Sequence, residues 1–333
     1  MAEINVASKL SYGELAKRLD PKGGMIDIFE AMNEFRPELS RIPAVPCNHR
    51  YHHVIGRRTS VPSGSWVKFY QGVAAKASTT QAVTFQTARL EALSEIDAAL
   101  VESIDGKDAR KAFRRSEDVA FVEGLTQQMW TGLISGTTTG APEEFDGLQQ
   151  YLKTLTQTMV FDGGNSGGTS IYVADFSPLA CYFIYPSGVT DRGTYGLKID
   201  TSPGGSKNGK CWSLDASDNP LEVYRTKFQW WIGFVVRDEL SIGRYANINP
   251  TVGGSNTFNE NKLIELLNYG NFRRGTTLLC TKEIKAQMQI RLKDKANVNF
   301  SLDKGLGGVP ILTFMGAPIF RCDAISTSET VVT

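Results

Sequence analysis

Between Lys107 and Ser135, apolar residues recur three or four apart at Ala109, Ala112, Phe113, Val119, Val122, Leu125, Met129 and Leu133. That spacing places them along one side of a helix. At 1.5 Å per residue the helix is roughly 40 Å long, against a mean of about 11 to 12 residues for helices in general. Gly124 and Gly132 weaken it, and Gly136 ends it. Its first half is basic, with Lys107, Arg110, Lys111, Arg114 and Arg115, and its second half is nearly uncharged.

Helical spacing recurs in shorter stretches: YGELAKRLD and MIDIFEAMNEF near the start, FDGLQQYLKTL after the long helix, then ENKLIELLNYG and KEIKAQMQIRLKDKAN. Strand patterns alternate with them. TSIYVA and TTLLCT read as buried strands, and LEVYRTKFQWWIGFVVRDELSIGRYANI is rich in aromatic and β-branched residues. VPILTFMGAPIFRCDAI reads as two strands about a turn at Gly316–Pro318. The stretch AVTFQTARLEALSEIDAALVES begins like a strand. It then keeps helical spacing at Leu90, Leu93, Ile96 and Leu100.

Residues 48–71 predict a β-hairpin, RYHHVIGRRT against SWVKFY across SVPSG. In SWVKFY, Val67 and Phe69 face one way and Trp66, Lys68 and Tyr70 the other. Both faces are bulky and apolar, so a lone hairpin leaves aromatic side chains bare, which marks a partner site.

Composition narrows the function classes. The 333 residues carry 36 basic and 35 acidic side chains, a net charge of +1, so any contact with nucleic acid is local. The five cysteines are scattered without a CxxC pair, which argues against zinc or a disulfide framework and fits a reducing cytosol. The start, MAEINVASKL, has no apolar signal core, and no apolar run reaches the length of a membrane span.

Chemical motifs are weak. Strand alternation sends His52 and His53 to opposite faces, so the trio His49, His52 and His53 does not converge on a metal. The sequence GNSGG at Gly164–Gly168 fits GxSxG, and His53, Asp97 and Ser166 follow a protease-like order. A nucleophile elbow needs a strand before and a helix after it, whereas here a strand follows, which favours a surface loop. Glu143 and Glu144 read as the opening of the next helix, and no phosphate-binding glycine motif is present. The expectation is no catalytic residue, no metal and no cofactor. The basic cluster from Lys107 to Arg115 is either a solvated helix face or a surface meeting phosphates.

PEEFDGL (142–148), FQWWIGFVVRDELSIGRYANI (228–248) and FMGAPIFRCDAI (314–325), in the order in which they occur, resemble the major capsid proteins of tailed bacteriophages, the Hong Kong 97-type α+β fold. The resemblance covers most of the chain and is strongest toward short-tailed phages. It implies an N-terminal arm (1–45), an extended hairpin loop (46–95), and a peripheral domain (96–158 and 313–333) whose spine helix is 107–135. An axial domain (159–312) follows, with 228–250 as a further candidate for the peripheral domain. It implies a self-assembling structural protein of the virion, put together in the host cytoplasm as pentamers and hexamers around double-stranded DNA. Trp66, Phe69 and Tyr70 are then inter-subunit contacts, and Lys107, Arg110, Lys111, Arg114 and Arg115 face DNA. Portal, scaffolding and cement proteins are further partners; a membrane is not. Two alternatives stand beside it: an encapsulin-like compartment shell, and a serine hydrolase using Ser166.

Overall fold

The computed structural model describes residues 41–139, 141, 143–188, 196–201, 210–215, 217–273, 275–293, 298–304 and 310–333. Both short helices expected before Pro37 lie outside them. The chain divides into two compact units. Residues 89–131 and 192–231 belong to the first; 36–88, 132–191 and 232–333 belong to the second.

A 17-residue strand, β10 (Pro220–Val236), whose residues up to Trp231 lie in the first unit, runs beside β4 (Ala88–Asp97) and is edged by β8 (Leu197–Asp200) and β9 (Lys210–Leu214). The helical spacing expected across Leu90, Leu93 and Ile96 is overridden here. β4 alternates, with Ser94 and Ile96 buried and Leu93 exposed. The other parity of β4 carries charge that β10 matches. Arg225 Nε donates to Glu95 at 2.7 Å, Lys227 pairs with Glu91, and Gln229 donates to Glu91. Cross-strand pairing of this kind outweighs local propensity. Asp97 then caps a single turn of helix, α1 (Ala98–Glu102).

The long helix forms over the predicted residues, as α2 (Lys107–Ser135). Phe113 joins Ile96, Leu100, Val101 and Ile104 in one apolar cluster, and Phe121 stacks on Phe228 at 5.7 Å. Ala112 and Val119, counted in the apolar stripe from sequence, are exposed instead, and Phe121 takes their place. The helix stops at Gly136, whose N–H bonds to Gly132 O; Gly147 N–H in turn bonds to Gly136 O. A Cβ on Gly136 would collide with the carbonyl oxygens of Gly132 and Phe145. The PEEFDGL phrase therefore folds back beneath the helix end, a close approach only glycine permits.

The second unit holds a seven-stranded sheet: β13 (Phe300–Lys304), β14 (Pro310–Phe314), β15 (Ala317–Arg321), β12 (Thr276–Cys280), β6 (Thr169–Asp175), β11 (Ile242–Ile248) and β5 (Val160–Asp162), in that order. Every residue of β6, β11 and β12 is buried, as expected of strands covered on both faces. Between β14 and β15, Met315 and Gly316 both have positive φ and make a two-residue turn, one residue earlier than the Gly316–Pro318 turn expected; Pro318 lies in β15 opposite Thr313. Before β6, FDGLQQYLKTL yields only a four-residue helix, α3 (Leu148–Tyr151). Two helices pack on the sheet: α4 (Glu260–Tyr269) lies on β11, and α5 (Lys282–Arg291) lies on β15. Gly243 in β11 makes the first contact possible, because a Cβ there would stand 2.8 Å from Leu266 Cδ1.

A buried ion pair ties the end of the sequence into this sheet. Arg244 of β11 pairs with Glu329 at 2.9 Å, both side chains being less than a tenth exposed. Arg244 also donates to Ser170 Oγ (3.0 Å) and Leu152 O (3.0 Å). Glu329 accepts from Ser170, from Tyr172 Oη and from Gln149 Nε2, and its backbone bridges Gly168. In a separate sheet, β1 (Ala44–Pro46) runs parallel to β7 (Cys181–Tyr185), which pairs with the last residues of β10. Against them sits the base of a two-stranded ribbon, β2 (His52–Ser60) and β3 (Thr79–Gln86). Ile55, Val83 and Phe85 pack there with Cys47, Tyr182, Ile184 and Val235. His53 Nδ1 accepts from Asn48 N–H at 3.3 Å, leaving its Nε2 facing Tyr182 Oη at 3.2 Å. Burial, then the charges of Arg237 and His49, hold the His53 imidazole below its usual range.

Two outcomes follow from this packing. Arg244→Met or Glu329→Gln alone strands a buried charge and lowers stability by about 3–5 kcal/mol, whereas the double change costs less than the sum; urea unfolding measures both. Because His53 is held neutral when folded, the unfolded chain takes up its proton first. The stability it confers is complete above the ordinary imidazole range and declines as pH falls below about 6.5. His53→Gln should flatten the pH dependence of the melting temperature over that window.

Candidate assembly surface

The ribbon is packed against the rest of the second unit at its base. Register pairs Ile55 with Val83 and His53 with Phe85, and these residues face the second unit's core. Arg57 fixes the ribbon further out, bonding Val236 O at 3.1 Å and forming an ion pair with Glu239. Beyond Arg58 the ladder slips by a bulge, and the hydroxyls of Thr59, Ser60 and Thr79 bond to one another. From there to Ser78 the chain is irregular and exposed throughout.

This corrects the expected hairpin. The partner strand of RYHHVIGRRT is TTQAVTFQ, not SWVKFY, which forms the far end of the ribbon. A turn closes it, with Gln71 N–H bonding to Lys68 O and Tyr70 at a φ of 65°. Lys76 Nζ bonds Ser63 O at 3.0 Å across the tip. Trp66, Phe69 and Tyr70 have relative exposures of 105%, 97% and 109%, and Val61, Val67 and Val73 are exposed beside them. Large aromatic side chains in this state carry roughly 150–250 Å² each that a partner can bury.

The basic start of α2 separates into two sets. Arg110 is committed within the chain, with Nε to Ile104 O at 2.7 Å and a terminal nitrogen to Glu102 O at 2.8 Å. It closes the carbonyl end of α1. Arg114 lies over the Tyr224 ring at 4.6 Å. Lys107, Lys111 and Arg115, four residues apart, form an exposed stripe about 12 Å long.

The remaining candidates are occupied elsewhere. Ser166 sits in the loop between β5 and β6, where Gly164, Gly167 and Gly168 all have positive φ. His53 is engaged by Tyr182 and Asn48, and the Asp97 carboxylate caps α1, accepting from Ala99 N–H at 2.8 Å. His49 and His52 stack on each other at 4.6 Å. Among the described residues no group of three His, Cys, Asp or Glu side chains converges for a metal, and no helix of theirs is long and apolar enough to cross a membrane. Sequence reasoning missed Asn247. It is a buried, left-handed residue at the bulge in β11, whose side chain bonds Asp162 and both backbone groups of Val332. Its only sequence signal is an Asn inside a strand pattern, where asparagine is disfavoured.

The family described as major capsid protein GP7 matches residues 20–333. Among solved structures, that of bacteriophage epsilon15 covers 100% of both chains with a TM-score of 0.71 at 24% identity. The capsid of bacteriophage JBD30 covers 89% of this chain and 93% of its own, with a TM-score of 0.52 at 10% identity. No curated protein matches. The mixture of buried sheet, long helix and projecting ribbon, matched over nearly the whole length, places this chain in the major capsid protein GP7 family, with the Hong Kong 97-like fold of phage capsids.

Proposed function

We propose that copies of this chain form the pentamers and hexamers of an icosahedral head around double-stranded DNA, and that the ribbon tip is what each copy lends to its neighbour. One observation carries the reading: Trp66, Phe69 and Tyr70 are bare at the end of a ribbon whose base is firmly packed. Burying each fully on another copy contributes about 1.5–3 kcal/mol. A tip from one copy and a different surface on the next make a heterologous contact, the kind that closes into rings. The arm (1–45), hairpin loop (46–95), peripheral domain (96–158, 313–333) and axial domain (159–312) are carried over on the same reading. The protein has no catalytic step of its own, and assembly takes place in the host cytoplasm. A compartment shell enclosing an enzyme is the second reading, and the family match to phage capsid proteins favours the first.

The exposed stripe Lys107, Lys111 and Arg115 supports a local, nonspecific contact with packaged DNA, since cationic side chains meeting phosphates release counterions whatever the base sequence. Arg110 and Arg114, held within the chain, have structural roles instead.

Trp66→Ala should leave the melting temperature of the unassembled protein unchanged while particle yield falls at least severalfold by sedimentation; an unchanged yield counts against the tip as a contact. Replacing Lys107, Lys111 and Arg115 together by Gln should still give empty shells but lower the DNA retained per particle. Replacing Arg110 alone should instead lower stability by about 1–3 kcal/mol.

A further inference from the structure

A concave groove of about 350 Å³ opens beside the base of the ribbon. Val83, Phe85, Phe145 and Tyr151 form its apolar floor, and Asp146 and Glu239 stand on its rim. Arg57 neutralises Glu239. Asp146 accepts from the Thr138 N–H and hydroxyl, both at 2.9 Å, and Glu143 and Glu144 are exposed on the same turn. No ion pair satisfies these three carboxylates among the described residues. The tip, residues 61–78, has three bare aromatic rings and the opposite charge: Lys68 and Lys76, and no acidic residue.

We propose that this groove receives the ribbon tip of a second copy of the chain, an aromatic ring seated on the floor and Lys68 set against the carboxylates of 143–146. The inference rests on the reading of the tip as an inter-subunit contact and adds the surface that receives it. Three points on the molecule support it. The groove and the tip are both apolar, and Asp146 in the groove lining, with Glu143 and Glu144 beside it on the same turn, opposes the lysines of the tip; charge complementarity is what orients an encounter and rejects wrong partners. The volume lies at the small end of the roughly 300–1,000 Å³ typical of binding clefts, suited to one or two side chains rather than a free ligand. Trp66 is fully exposed in its own chain, so it does not fill its own groove. A tip leaving one copy and entering the next copy's groove also makes the contact directional, so a ring closes without any two-fold pairing.

The test is a disulfide between tip and groove. Cys47, Cys181, Cys280 and Cys322 are buried, so Cys211→Ser leaves a quiet background. In that background Val67→Cys combined with Gln86→Cys should give, in assembled particles under mild oxidation, a ladder of cross-linked oligomers on non-reducing gels, with neither single variant doing so. Independently, Glu143→Lys with Glu144→Lys should cut particle yield about tenfold, and adding Lys68→Glu should recover much of it. If Trp66→Ala blocks assembly but no ladder forms and the charge exchange recovers nothing, the groove assignment is overturned while the tip remains a contact. If Trp66→Ala leaves assembly intact, the reading of the tip falls, and the groove with it. A bond within one chain from Gln86→Cys to a cysteine placed at Phe29 would assign the groove to residues 1–40 and likewise overturn the proposal.

Discussion

The second unit depends on one desolvated charge pair. Taking a guanidinium and a carboxylate out of water costs several kcal/mol each, and the cost is offset only when every remaining donor and acceptor is met. Around Arg244 and Glu329 that condition is satisfied by Ser170, Leu152, Tyr172 and Gln149. Since these groups come from β6, from β11, from α3 and the residue that ends it, and from the end of the sequence, the pair forms only when all four are in place. Asn247, three residues further along β11, likewise joins β5 to Val332. The result is a rigid sheet on which outlying parts can be mounted.

The ribbon uses that rigidity. Its root is seated by Ile55, Val83 and Phe85, Arg57 ties it further out, and beyond the bulge after Arg58 the chain runs irregular and exposed to its aromatic tip. A projection built in this way is fixed in direction by its root and left unfinished at its end. Stability and assembly are thereby assigned to different residues of a single element, so altering the far end leaves the fold of the chain unaffected.

Much of this was legible in the sequence, and the failures have identifiable causes. The long helix, the strands at 169–175 and 276–280 and the helix capped by Gly270 follow from local spacing and turn chemistry, and the corner before β15 reads one residue late because Pro318 looks like a turn residue. β4 does not, because the helical spacing of its leucines is local while the pairing of Glu91 and Glu95 with β10 is made by residues more than a hundred positions away. SWVKFY failed for the opposite reason. Its alternation of bulky residues is a genuine strand pattern, yet the hydrogen-bonding partner lay beyond it, and nothing local distinguishes a strand face from a surface awaiting another chain. The five cations of α2 looked equivalent; only the carbonyls of Glu102 and Ile104 and the Tyr224 ring separate Arg110 and Arg114 from the rest.

The tight corner joining β14 to β15 has a practical corollary. Met315 is half exposed and Gly316 has open space about it, the corner being held to its neighbour by the Met315 N–H to Asn299 O bond, so the sheet does not cover it. Loop tips of this kind tolerate inserted sequence, because the entropy of a longer closure rises only slowly with its length. A foreign peptide grafted there would be carried at an outer bend of the sheet while the strands on either side keep their pairing, which makes the site a natural handle for display.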